Sequence, residues 1–121
     1  MGKKNPFESL RQPRVVGVEA PKEFKTTTVY AQGATATLQI RTAELAPGRF
    51  DFGFYLQIGE LVRQMLPGQG SGWYSSEKDA ILYALGHIRY GSVELLPDMK
   101  LAIDAYISKL RNVSLFDELN N

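Results

Sequence analysis

The chain contains no cysteine, a single histidine, a single tryptophan and a formal net charge of only +1. Without cysteine there is no disulfide, no thiolate nucleophile and no cysteine-ligated zinc. One histidine cannot complete a typical zinc centre. Acid–base or nucleophilic catalysis needs a reactive group with a partner, and no such pair stands out. We therefore expect a protein that is not an enzyme and that binds neither a metal nor another cofactor.

Long apolar runs are also missing. No stretch approaches the ~20 apolar residues that a membrane-spanning helix needs. The first residues, 1–7, contain lysines but no apolar stretch behind them, unlike a secretory signal peptide. We expect no membrane partner and take a cytoplasmic location as the default. The length of 121 residues and the 44% hydrophobic content fit one globular domain.

The charges are unevenly distributed along the chain. Residues 1–28 contain six basic and three acidic residues, whereas the remainder contains eight basic and ten acidic ones. Prolines at positions 6, 13 and 21 interrupt the first segment, which shows no periodicity. The sequence therefore predicts a flexible basic arm over residues 1–28 and a single compact domain over residues 29–121.

Two segments near the middle of the chain predict a β-hairpin. Residues 35–45 are rich in β-branched side chains, and residues 50–58 have an apolar residue at every even position. Between them, Pro47 and Gly48 are typical turn residues. The segment 60–66 fits a helical turn as well as a further strand, and the glycine-rich segment 68–72 predicts a loop.

The second half of the chain predicts two helices. Ser75 or Ser76 is the N-cap of the first; with Ser76 as N-cap, Asp79 falls three residues later, and an apolar stripe follows. Pro97 is a preferred first residue of a helix, and Asn112 is a candidate end for the helix that it begins. The fold class is therefore α+β: a hairpin, or a small sheet of three or four strands, packed on one face by two helices.

The single histidine and the glycine-rich loop carry little chemistry. His87 lies beside the apolar stripe of the first helix, so we interpret it as a boundary residue. The loop lacks the lysine and hydroxyl residue of a phosphate-binding loop.

Residues on the sheet face away from the helices are the candidates for binding. Arg41, Tyr55 and Gln57 alternate with the apolar positions, and an arginine-bearing sheet with an exposed aromatic can bind single-stranded bases. The other candidate contacts are Arg49, Arg63, Trp73 and Tyr74. For Trp73 and Tyr74, we favour a lid on the core over stacking on a ligand, because large aromatic residues dominate burial in small domains.

Two functions fit these candidates. The first is a nucleic-acid-associated binding module. The second is a unit for protein–protein interaction or homodimerisation without nucleic acid, because a sheet face, a sheet edge or the amphipathic tail around Leu115 and Phe116 can bind another chain.

The segment from Leu38 to Ile88 resembles a small uncharacterised strand–strand–helix module of mobile-element proteins in Bacteroides-type bacteria. The similarity lies in Asp51-Phe-Gly53, in the glycine-rich residues 68–72 and in the stretch 74–80. Modules of this kind are appended to ParB-like proteins and DNA methylases of phages and conjugative elements. The resemblance implies an association with DNA transactions and assigns no functional residue.

Overall fold

The computed structural model describes residues 4–13, 23–68 and 72–120, with side chains in the last helix described as far as Asn112. After a short 3-10 turn at Glu8–Leu10, the elements follow in this order: β1 (Gln12–Pro13), β2 (Lys25–Gln32), β3 (Ala36–Ala46), β4 (Arg49–Ile58), β5 (Leu61–Met65), β6 (Gly72–Trp73), α1 (Glu77–Arg89) and α2 (Pro97–Asn120). No helix among the described residues is both long and apolar enough to span a membrane.

Four strands form an antiparallel meander in the order β2-β3-β4-β5. The predicted hairpin is confirmed: β3 and β4 pair along their length, and Pro47 and Gly48 join them, with Gly48 at a positive φ of 72°. The ambiguous segment 60–66 forms β5 and is therefore a strand. A separate two-stranded ribbon pairs β1 with β6.

Both helices pack on one face of the meander, as the α+β prediction required. The Oγ of Ser76 accepts a hydrogen bond from the backbone N–H of Asp79 at 3.0 Å, so Ser76, and not Ser75, is the N-cap of α1. α1 packs on β3 and β4, whereas α2 packs on α1 and β2. α2 begins at Pro97, as predicted, but it continues beyond Asn112 to Asn120, so Asn112 does not end it.

The core lies between the sheet and the helices and takes its apolar residues from both layers. Its fully buried members include Leu38, Ile40, Leu56, Leu85, Met99 and Ile103.

Residues 4–13 are part of the body, so the prediction of a flexible arm is wrong for this segment. Phe7 is buried in the core, and Asn5 Nδ2 donates to the backbone oxygen of Tyr83 at 3.0 Å. A side chain at Gly86 would collide with Asn5, so glycine there lets the segment lie directly on α1. The sheet also starts earlier than predicted, at Lys25; the rest of the predicted arm, residues 1–3 and 14–22, lies outside the described residues.

An aromatic cluster joins this segment to the core. The ring of Tyr74 lies 5.0 Å from that of Tyr83 and 5.9 Å from that of Phe52. The hydroxyl of Tyr83 donates to Glu8 Oε2 at 3.1 Å and accepts from Arg11 Nη1 at 3.3 Å. Burial raises the pKa of Tyr74 far above its ordinary value. Burial, followed by the hydrogen bond to Glu8, also raises the pKa of Tyr83.

Replacing Phe7 tests whether the N-terminal segment belongs to the core. We expect Phe7→Ala to lower the free energy of unfolding by about 3 kcal/mol, as is typical of a buried phenylalanine. Urea denaturation followed by circular dichroism measures the change. The control is Ser9→Ala, an exposed position in the same turn, which should leave stability almost unchanged. Equal stabilities of the two variants would contradict the packing.

The raised tyrosine pKa values predict a loss of stability at alkaline pH. Because the folded state holds these protons more tightly than the unfolded state, their contribution is complete below the ordinary tyrosine pKa of about 10 and falls as pH rises above it. Chemical denaturation between about pH 9 and about pH 11.5 measures the fall. Tyr74→Phe keeps the ring and removes one titrating group, so its fall should be smaller. An identical fall in both proteins would contradict the assignment to Tyr74.

Candidate nucleic-acid interface on the outer sheet face

The face of the meander opposite the helices is the candidate site, and we call it the outer face. The strand register decides its members, because alternate residues point to opposite faces. Apart from alanines, its uncovered side chains come from four strands: Thr26, Thr28, Thr37, Gln39, Arg41, Tyr55, Gln57, Val62 and Gln64.

A row of side chains crosses the outer face from strand to strand. The guanidinium carbon of Arg41 lies 5.2 Å from the ring centroid of Phe24 and 5.9 Å from that of Tyr55, both within cation–π distance. Arg41 Nη1 also donates to Gln64 Oε1 at 3.5 Å. Phe24 is 39% exposed although it is apolar. We call these four residues the outer row.

Asp51 points to the outer face but is not available on it. The alternation along β4 directs Asp51 to this face, whereas its side chain is only 2% exposed. Its Oδ2 accepts from the backbone N–H of Gly68 at 2.7 Å, and its Oδ1 accepts from the N–H of Phe52 at 2.8 Å. Asp51 is the only carboxylate that the register of the described strands directs to this face, so none of these strands exposes an acidic side chain on it.

The partner of Asp51 belongs to a segment that crosses over β4, residues 66–68, which we call the crossing segment. Gly53 permits this crossing, because a side chain there would collide with the carbonyl oxygen of Met65 and the backbone of residues 66 and 67. Pro67 in this segment is fully buried. Asp51 therefore holds the crossing segment by a hydrogen bond, and Gly53 leaves the space that this segment occupies.

A second pair of a cation and an aromatic ring lies farther along β4. The guanidinium carbon of Arg49 is 5.1 Å from the ring centroid of Trp73. Six residues separate Arg49 from Tyr55, which corresponds to roughly 20 Å along a strand. Asp51 and Gly53, with the crossing segment over them, lie between the two pairs.

The remaining predicted contacts are not part of this arrangement. Gln57 lies on the outer face, but its Nε2 donates to the backbone oxygens of Ala34 and Gly59. Its amide is therefore hydrogen-bonded to the turn after β2 and to the turn after β4. Arg63 pairs with the inward-facing Leu56 and therefore lies on the helix side of the sheet. Tyr74 is 2% exposed and lies in the core, so it cannot contact a partner.

Sequence reasoning missed two members of the outer row. Phe24 fell within the predicted arm, although it directly precedes β2, which begins at Lys25 and continues with a run of threonines. Gln64 fell within the ambiguous segment, and assigning that segment as a strand would have placed it opposite Tyr55.

Metal-binding geometry is not found within the described ranges, because no three histidine, aspartate or glutamate residues there cluster closely enough to hold an ion.

Comparisons with models of protein families, with curated proteins and with solved structures each find no match for this chain.

Replacing Asp51 tests the crossing segment. We expect Asp51→Asn to lower the free energy of unfolding by about 2 kcal/mol, because the amide would turn a donor toward one of the two N–H groups that the carboxylate accepts from. Urea denaturation measures the loss. Glu60→Gln, the same chemical change at an exposed turn position, is the control and should be nearly neutral. A neutral Asp51→Asn would contradict the role of this carboxylate.

Proposed function

We propose that this chain is a non-enzymatic binding module that contacts single-stranded nucleic acid through its outer face. One observation carries the proposal: Arg41 lies between the rings of Phe24 and Tyr55 on a sheet face that exposes no carboxylate among the described strands. The resemblance of the segment from Leu38 to Ile88 to modules of mobile-element proteins supports a role as an accessory protein of such an element.

The outer row has the chemistry that unpaired bases require. Splayed bases stack on aromatic rings and on arginine guanidinium planes, and such stacking tolerates any base, since every base has a π-face. The neutral donors and acceptors around the row, Gln39, Gln64 and Thr28, can meet base edges or sugars. Arg41 is the charge available to a phosphate, which a guanidinium binds in bidentate geometry.

The separation of the two cation–aromatic pairs indicates the extent of the ligand. A strand that contacts Tyr55 and also Trp73 has to cover roughly 20 Å along β4. Several nucleotides are needed for that distance, which agrees with site sizes of about 4–16 nucleotides in other single-strand binders. Such a strand would pass over the crossing segment.

A protein-interaction or homodimerisation unit remains the second candidate. The observation that favours it is Val62 on the edge strand β5, which is 40% exposed and lies opposite Gln57, beside the outer row. The first candidate depends on Arg41 and Tyr55 and the second on the edge of β5, so variants of these residues test the two separately.

Binding of a fluorescein-labelled single-stranded oligonucleotide, measured by anisotropy at about 50 and about 200 mM salt, tests the nucleic-acid proposal. We expect Tyr55→Ala to weaken binding by about 5- to 100-fold, as the loss of one stacked base would. We expect Arg41→Gln to reduce the slope of log affinity against log salt by about 1. Both variants should melt within a few degrees of the wild type.

The control is Lys100→Gln, which removes one positive charge on α2, on the other side of the sheet, and should leave affinity nearly unchanged. Equal losses in Lys100→Gln and Arg41→Gln would show only a general effect of charge. Absence of binding by the wild type at the lower salt concentration would overturn the proposal.

A further inference from the structure

The strand β5 is an open edge of the sheet. Among the described residues it pairs only with β4, in an uninterrupted antiparallel register. Its outer main-chain groups therefore have no strand partner there. Unpaired edges of this kind can accept another strand.

The opposite edge is protected, which makes β5 the open one. β2 begins with Lys25, has a register shift between Thr28 and Tyr30, and is covered by packing against α2. Lysine, bulges and covering helices are devices that block strand addition. β5 has a regular register and an exposed apolar residue, Val62.

A pocket lies beside β5 on the helix side of the sheet. It has a volume of about 230 Å³ and is lined by residues of β4, β5, α1 and the turn after α1: Phe54, Leu56, Arg63, His87, Ile88, Gly91, Ser92 and Val93. Pockets for drug-sized ligands run to about 300–1,000 Å³. This one therefore fits a single large apolar side chain and not a cofactor.

The charges around the pocket decide the chemistry of its occupant. Its only ionisable lining residues are Arg63 and His87, and no carboxylate lines it. Arg63 forms no ion pair within the described part of the chain, and its Nη1 donates only to the neighbouring carbonyl of Val62 at 3.3 Å. An occupant that brings a carboxylate would pair with this arginine.

We propose that β5 binds an extended acidic peptide of a partner protein as an additional strand of the sheet. A large apolar side chain of the peptide enters the pocket, and a carboxylate two positions away along the peptide pairs with Arg63. The spacing of two follows from the strand period, because both side chains must lie on the helix side.

A second copy of this chain fits β5 poorly. Symmetric antiparallel pairing of the five residues Leu61–Met65 with themselves places Arg63 opposite the same arginine of the other copy. Like charges directly opposite each other destabilise a strand pair. The chain's own acidic segment, residues 115–118, has a suitable composition, but its backbone belongs to α2 and is not extended.

The experiment uses a labelled peptide, Thr-Val-Phe-Thr-Asp-Val-Thr, and two matched peptides. One replaces Asp by Asn, and the other moves Asp next to Phe, which directs the two side chains to opposite faces. We expect the first peptide to bind at least five-fold more tightly than either of the others. We also expect Arg63→Gln to remove that advantage over the Asn peptide, as a double-mutant cycle would show. In NMR spectra of the wild type, the amides of β5 should shift and those of β2 should not.

Three results would overturn the proposal: equal affinities for the three peptides, an advantage that survives in Arg63→Gln, or shifts confined to the outer row. A dimer in sedimentation without peptide binding would assign the edge to a second copy instead. A folded NMR spectrum of Arg63→Gln excludes loss of structure as the cause. Because Arg41→Gln should bind nucleic acid more weakly and bind the peptide as the wild type does, failure of one proposal is distinguishable from failure of the other.

Discussion

The buried carboxylate of Asp51 is the interaction on which the outer face depends. It accepts hydrogen bonds from the N–H groups of Gly68 and Phe52, and the bond from Gly68 holds the crossing segment, which follows β5, in place over β4. Gly53 gives that segment the space it needs. A charged group costs several kcal/mol to bury unless it is well hydrogen-bonded, so Asp51 is structural. Its burial also keeps the one acidic side chain that the strand register directs to the outer face out of direct contact with a ligand.

The sheet consequently has two sides with different properties. The helix side buries apolar residues of β3 and β4 under α1 and gives the molecule its stability. The outer side has polar, uncharged residues around Arg41, and its aromatic rings are partly exposed. Large apolar residues that remain exposed where the fold does not need them, such as Phe24 and Val62, are the features most worth testing for binding.

Local signals in the sequence predicted local structure well. The alternation over residues 50–58, the turn at Pro47 and Gly48, and the caps at Ser76 and Pro97 each depend on a few neighbouring residues, and all were confirmed. The errors concern contacts between distant residues. Phe7 reaches the core through a bond between Asn5 and the backbone of Tyr83, 78 residues away. The burial of Asp51 likewise depends on Gly68, and that of Tyr74 on its bridge to Phe50.

An NMR titration of the isotope-labelled protein with a short single-stranded oligonucleotide at about 50 mM salt shows whether the outer face binds nucleic acid, because phosphate contacts are strongest at low salt. We expect shifts at the amides of Thr26, Arg41, Tyr55 and Gln64 and at the indole of Trp73, with α2 unaffected. Shifts confined to the helices or to β5, or no shifts at all, would contradict the nucleic-acid proposal.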